Sequence, residues 1–171
     1  MRLTDIPRFT RTPTYHITGD WKSFFEYWLL EHTPNLNPDF QRAHVWTKAK
    51  QVAYVEFCLR GGSSSRAILF NQPGWNAGER GDLVLVDGKQ RIEAVRRFLS
   101  DEIAVFGHRL SEFADKLRHH EYCFDIHVND LKTRAEVLQW YLDIYTGGVV
   151  HTDVELDKVR HLLELEKRGK S

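Results

Sequence analysis

The chain has 171 residues, of which 42% are hydrophobic, and its 24 basic and 24 acidic residues give a formal net charge of zero. This length suits one domain with a proper core, and the hydrophobic content excludes an intrinsically disordered chain. Zero net charge excludes a protein that binds nucleic acid through its overall charge, so any such binding requires a local patch.

The sequence also indicates the cellular compartment in which the protein lies. No apolar run is long enough to cross a membrane, and the first residues lack the apolar segment of a secretory signal peptide. Cys58 and Cys123 stand apart in the sequence, which is typical of buried free thiols in a reducing compartment. We therefore expect a cytoplasmic protein without a membrane partner. Residues 1–14 are predicted to form an N-terminal arm and residues 15–171 a single domain.

The first half of the chain predicts two helices followed by two strands. Asp20 is suited to cap a helix with an aromatic face, and Thr47 is suited to cap a second helix. Residues 67–70 predict a short strand, and residues 83–86 predict a buried strand because they are consecutive apolar residues. The glycine-rich loop between these strands, residues 71–82, suggests a hairpin with an unusually long connection.

Trp75 lies in that loop and has two interpretations. An aromatic side chain in a loop can stack on a nucleic-acid base. It can also cover the hydrophobic core as a lid, which is the interpretation that we favour.

The second half of the chain alternates irregularly between the two element types. Residues 103–106 predict a short strand, and Ser111 is suited to cap a helix. Residues 122–128 alternate apolar and polar side chains with period two, which predicts a strand. Thr133 and Thr152 each begin a further helix. This mixture predicts an α+β fold with a small mixed sheet surrounded by helices.

The segment Asp87-Gly88-Lys89-Gln90-Arg91 lies where the buried strand is followed by a predicted helix. The first turn of a helix presents unpaired N–H groups and the positive end of the helix dipole. Gly88 allows a ligand to approach the backbone, and Lys89 and Arg91 add positive charge. The turn is therefore suited to hold phosphate. The alternative is that Asp87 only caps the helix while the cations are solvated.

A second motif lies upstream, in the segment from Asn37 to Trp46. Its aromatic residues, Phe40 and Trp46, are best explained as packing anchors. Gln41 and Arg42 are polar and are candidates for a second contact to phosphate or nucleic acid. The alternative for Arg42 is a surface salt bridge, which would contribute little stability.

Together, the segments PDFQRAHVW and VDGKQRIEAVRRF resemble the two signatures of one branch of the ParB/sulfiredoxin-like superfamily. The motif of that branch is Asp-Gly-Gln-Gln-Arg, at the N-terminus of type IV restriction proteins of the GmrSD kind and of related phage-defence proteins. The resemblance spans roughly residues 15 to 165. Two positions depart from the family: Lys89 replaces a Gln, and Tyr145 precedes the Thr-Gly-Gly turn where the family often has Asn.

The resemblance implies a ParB/sulfiredoxin-like fold and a domain that binds, and in the enzyme interpretation hydrolyses, a nucleoside triphosphate with Mg²⁺. It links the chain to DNA restriction or phage–host conflict, with nuclease activity as one form, and with DNA and a separate nuclease or effector protein as partners. The residues expected to bind the nucleotide are Asp87, Gly88, Lys89, Gln90 and Arg91, and Asp87 and Gln90 are the candidate catalytic pair. Gln41 and Arg42 are the expected phosphate or nucleic-acid contacts.

Other chemistries lack a signature in the sequence. The nine histidines show no His-x-x-x-His spacing and the cysteines no Cys-x-x-Cys spacing, so we expect no zinc site. No Gly-x-Ser-x-Gly elbow is present, and the turn lacks the catalytic Cys of sulfiredoxins. Family members often continue into a His-Asn-His nuclease, which we expect to be absent because the chain stops at Ser171. The rival hypothesis is a non-catalytic interaction or regulatory module that keeps the fold and acts through a partner protein.

Overall fold

The structure, a computed structural model, describes residues 15–41, 45–75, 77, 80–146 and 153–169. One helix, α1, consists of three consecutive segments, of which the middle one is π-helical: Trp21–Ser23, Phe24–Trp28 and Leu29–His32. The other helices are α2 (Lys48–Leu59), α3 (Lys89–Leu99), α4 (Arg134–Thr146) and α5 (Asp153–Arg168). The strands are β1 (Tyr15–Asp20), β2 (Ala67–Asn71), β3 (Val84–Asp87) and β4 (Cys123–Asn129).

The four strands form one mixed sheet in the order β1-β4-β2-β3. β4 pairs antiparallel with β1 and parallel with β2, and β2 pairs antiparallel with β3. The β2–β3 pair is the predicted hairpin with its long connection. Helices combined with a small mixed sheet confirm the predicted α+β class.

Helices lie on both faces of the sheet, because alternate strand residues supply two hydrophobic cores. In β3, Leu85 enters the first core and Val86 the second, and both are fully buried. The first core takes side chains from α1, α2 and α3, including Trp21, Val55 and Phe98. The second core takes them from α4 and α5. The β3–α3 junction therefore lies between two layers that hold it from either side.

The predicted caps of the first two helices are confirmed. The Ser23 N–H donates to Asp20 Oδ1 at 2.9 Å, and the Lys50 N–H donates to Thr47 Oγ1 at 3.3 Å. The cap prediction for Thr152 lies outside the described residues, and α5 begins at the next residue. None of the helices in the described part of the chain has the length and apolar content that spanning a bilayer requires.

Two predictions between α3 and β4 are wrong. Residues 103–106 form no strand, because Phe106 and Gly107 both have positive φ and turn the chain into a single bridge between Val105 and His108. Ser111 caps no helix. Its N–H donates to Asp101 Oδ1, and it lies inside a short 3₁₀ turn, Leu110–Glu112. The apolar residues that suggested regular elements pack against the first core from irregular backbone.

Candidate functional site

The junction between β3 and α3 forms at Gly88. The strand ends at Asp87, the helix begins at Lys89, and Gly88 between them has φ of 107°. No side chain caps the first turn of this helix. A Cβ atom on Gly88 would lie 2.6 Å from Ile68 Cδ1. Glycine is therefore required here both for the left-handed backbone and for close packing on β2.

Asp87 and Arg91 form an ion pair one helical turn apart. Both terminal nitrogens of Arg91 donate to Asp87 Oδ2 at 3.1 Å, and Tyr145 of α4 donates to Asp87 Oδ1 at 2.6 Å. A register irregularity between β2 and β3 sets Asp87 opposite Leu69, and such bulges redirect side chains next to functional sites. The side chains of Asp87 and Arg91 are 20% and 23% exposed, so solvent or a ligand can reach the pair.

The Arg91 guanidinium keeps part of its donor capacity. Nη1 also donates to the Ala67 carbonyl, so the described contacts use both Nη1 hydrogens and one Nη2 hydrogen. A guanidinium has five N–H donors. The unused ones in the described part of the chain are Nε–H and the second Nη2–H, which together form the lateral fork that binds oxyanions in a bidentate manner.

Gln41 and Gln90 attach the upstream segment to the junction. Gln41 Nε2 donates to the carbonyls of Leu85 and Val86 at 3.1 and 2.7 Å, on the edge strand of the sheet. Gln90 is 6% exposed, and its Oε1 accepts from the N–H groups of Val45 and Trp46 at 3.1 Å each. Both amides therefore satisfy backbone groups. Arg42 lies outside the described residues.

Lys89 lies apart from the ion pair. It lines a cavity of about 380 Å³ together with residues of β3, α3 and the segment before Gln41: Leu36, Asn37, Leu85, Ile92 and Glu93. Lys89 and Arg91 are two residues apart on α3, and side chains at that spacing point in different directions. The structure thus brings Asp87 and Arg91 together, directs Gln90 to the upstream segment and leaves Lys89 at a separate cavity.

A set of polar residues that the sequence analysis did not single out as a site lies on the same face of the sheet as Asp87. The imidazole rings of His16 and His127 are stacked, with centroids 4.5 Å apart. Thr18 Oγ1 donates to Asp125 Oδ1 at 3.1 Å. Burial, and secondarily His16, lower the pKa of His127. The strand register aligns His16, His127, Leu69 and Asp87 in one row across the four strands.

One signal in the sequence could have identified this set. In β4, Cys123, Asp125 and His127 alternate with the buried Phe124 and Ile126. Because alternate strand residues point to opposite faces, the polar series had to lie on the face away from the first core. His16 and Thr18 could not be added, because β1 was not predicted.

The cysteines and Trp75 contribute structure. Cys58 and Cys123 are buried and unpaired, and burial raises the pKa of both thiols, which makes them poor nucleophiles. The Trp75 ring lies 5.3 Å from Tyr15 and 5.6 Å from His32, and it packs against the first core. A Trp75 side chain that covers the hydrophobic core as a lid is expected to pack in this way.

A resident metal site is not evident. Among the residues that the structure describes, no three His, Cys, Asp or Glu side chains are grouped so that they could hold an ion. Comparison with known proteins adds no family, since the chain matches no family model, no curated protein and no solved structure.

Proposed function

We propose that the chain is a nucleoside-triphosphate-binding domain of a DNA restriction or phage-defence system and that it contacts the phosphates at the β3–α3 junction. The observation that carries this proposal is the Arg91 guanidinium. It is fixed by Asp87 and the Ala67 carbonyl, it is partly exposed, and its lateral fork lacks a partner among the described residues. The ParB/sulfiredoxin-like resemblance of the two motifs points to the same ligand.

The arrangement suits an oxyanion for two physical reasons. A guanidinium that is already held by two acceptors loses little conformational entropy when it binds a third group. The uncapped first turn of α3 adds backbone donors and the positive end of the helix dipole beside it. Bidentate contact to a phosphate oxyanion follows from the fork geometry.

Asp87 is the residue that would hold a Mg²⁺ ion carried by the nucleotide. A single partly exposed carboxylate fits such an ion, because nucleotide-bound Mg²⁺ takes most of its ligands from phosphates and water. When bound, the ion would neutralise charge on the phosphates. Hydrolysis would further need a group that positions water. We assign that role to the Nε2 end of the Gln90 amide, because Oε1 already accepts from the N–H groups of Val45 and Trp46.

Calorimetric titration of nucleotides with and without Mg²⁺ tests the proposal. Replacing Arg91 with Ala should weaken binding by about 1.5–3 kcal/mol, the contribution of a hydrogen bond to a charged group. Arg97→Ala is the matched control, since Arg97 lies on the same helix and binds Glu102 and Gln51. Thermal unfolding of each variant separates lost binding from lost folding. No affinity of the wild type for any nucleoside triphosphate at millimolar concentration would refute the proposal.

The second candidate is a non-catalytic module that acts through a partner protein. The amides of Gln41 and Gln90 favour it, because both satisfy backbone groups and so stabilise the fold without any ligand. Turnover separates the candidates. Phosphate release or plasmid nicking in the presence of divalent metals supports the enzyme, and its absence across all nucleotides supports the module.

DNA contact in either candidate is expected to be local and weak, through Arg42, Arg91 and the basic N-terminal arm, because the net charge is zero. Few phosphate contacts give a shallow dependence of affinity on salt. Measuring DNA affinity at salt concentrations from about 50 to 200 mM tests this expectation. A slope of log affinity against log salt concentration as steep as that of a protein with many phosphate contacts would contradict it.

A further inference from the structure

The β1–β4 part of the sheet face beside Asp87 carries polar side chains that the proposed function leaves unused. His16 and Thr18 are exposed, and His127 and Asp125 are half-buried. On the same face, Leu69 of β2 lies between His127 and Asp87 in the row across the strands. Neighbouring strands are about 4.8 Å apart, so His127 and Asp87 are separated by about 10 Å. One nucleotide can extend across that distance from its phosphates to its base.

The stacked imidazoles and Leu69 together offer a surface for a planar ring. The rings of His16 and His127 lie 23° from parallel, and Leu69 adds a half-buried apolar side chain beside them. The lowered pKa of His127 favours the neutral imidazole near neutral pH. Neutral aromatic faces stack on nucleobases without regard to their sequence identity, so these residues supply affinity and not selectivity.

Asp125 supplies selectivity. Its Oδ1 accepts from Thr18, which fixes the carboxylate, and its Oδ2 has no partner among the described residues. A carboxylate only accepts hydrogen bonds. Guanine presents two adjacent N–H donors on one edge, N1–H and the 2-amino group, whereas the corresponding edges of adenine, cytosine and uracil place an acceptor beside each donor. A fixed carboxylate therefore favours guanine.

We propose that the open sheet face is a nucleobase site and that the ligand of this chain is a guanine nucleotide, with its base against His127 and Leu69 and its donor edge on Asp125. This inference rests on the proposed function, because the phosphates of the same nucleotide lie at Arg91.

Calorimetry with four ligands tests the inference: guanosine, adenosine and xanthosine triphosphates, and inorganic triphosphate. The wild type should bind the guanine nucleotide about 10- to 150-fold more tightly than the adenine nucleotide, the range for a hydrogen bond to a charged group. Asp125→Asn should remove that preference and favour xanthine, whose edge pairs a donor with an acceptor. The affinity for inorganic triphosphate should stay the same. Asp157→Asn, an exposed carboxylate on α5, is the control and should change nothing.

Each contrary outcome has a distinct meaning. If the wild type binds the guanine and adenine nucleotides equally, or if Asp125→Asn leaves the preference intact, the base site is refuted while the phosphate site stands. If inorganic triphosphate and every nucleotide fail to bind, the proposed function is refuted and the base site with it. Unchanged melting temperatures are expected for Asp125→Asn, since the Thr18–Asp125 contact is exposed.

Discussion

One face of the sheet is covered over β3 and, in the part of the chain that the structure describes, open over β1 and β4, with the half-buried Leu69 of β2 between the two. In the covered half, Val84 and Val86 meet the second core beneath α4 and α5. In the open half, His16 and Thr18 are exposed to solvent. The free edge of β3 is also closed, by a bridge from Asn35 and by the Gln41 amide. An open edge or face of a sheet is available to other molecules, and a covered one is not.

Polar side chains serve different purposes in the two halves. The side chains of Gln41 and Gln90, beside the covered half, form hydrogen bonds with backbone groups. The side chains of Asp125 and Thr18, in the open half, bond each other and no backbone group among the described residues. Asp87 and Arg91 lie where the halves meet and combine both roles. Substitutions in the covered half should therefore affect stability, and those in the open half should affect binding.

The largest effect on stability is expected at Gly88. Gly88→Ala places a side chain in a left-handed backbone, which costs about 1–2 kcal/mol, and forces its Cβ against Ile68, which costs about 1–3 kcal/mol more. Chemical denaturation should show the combined loss in the free energy of unfolding. Gly61→Ala is the control, because Gly61 also has positive φ but its Cβ would meet nothing within 4 Å. Equal losses in the two variants would contradict the packing argument.

Gln90→Leu should have the next largest effect. The substitution keeps the size of the side chain but leaves the N–H groups of Val45 and Trp46 without their acceptor. Unpaired, partly buried donors cost about 1–3 kcal/mol. Gln139→Leu is the control, since among the described residues the Gln139 amide bonds only to Asp143, within α4. A loss in Gln90→Leu no larger than in the control would show that the upstream segment is held by other contacts.

Tyr145→Phe tests the contact from α4 to Asp87, where the two halves of the sheet face meet. Loss of the hydroxyl removes the 2.6 Å bond to Asp87 and should cost about 1.5–3 kcal/mol, as for hydrogen bonds to charged groups. Tyr27→Phe, at an exposed position, should change the free energy of unfolding by less than about 0.5 kcal/mol. The measurement is again denaturant unfolding, and an unchanged midpoint for Tyr145→Phe would argue that Arg91 alone fixes Asp87.

The smallest expected effect is the contribution of His127 to the pH dependence of the free energy of unfolding. Its pKa is lowered from 6.5 in the folded state by burial and by His16, so the unfolded chain binds the proton more tightly. The contribution to stability is therefore present above about pH 6.5 and is lost as the pH falls through the lowered pKa. His127→Gln should flatten this part of the stability profile, which denaturant unfolding across pH measures.

Local patterns predicted the elements that have one regular face. Period-two alternation located β4, and capping residues located the starts of α1 and α2. β1 escaped prediction because its alternation of apolar and polar side chains lasts only from Tyr15 to Thr18, and all four residues are exposed in this edge strand. The region of residues 103–118 was misassigned because a spaced set of apolar residues does not show that the backbone between them is irregular.

The candidate site was predictable only in part, for a similar reason. The strand–turn–helix context of Asp87 and Arg91 is local and could be predicted from neighbouring residues. The contact from Tyr145 joins residues 58 apart in the sequence, and nothing in a local pattern signals it. Tyr145 was noted only as a departure from the family motif, yet its hydroxyl holds the carboxylate at the centre of the site.

The pairing of β1 with β4 has a consequence for how the chain folds. Thr18 contacts Asp125, 107 residues later, and β4 also supplies the parallel partner of β2. Such contacts close long loops, so folding should be slow for a chain of this size. During synthesis β1 emerges first but lacks its only strand neighbour in the described sheet until β4 has been made. His16 and Thr18 are polar and exposed, which should limit aggregation of the unpaired strand before β4 is made.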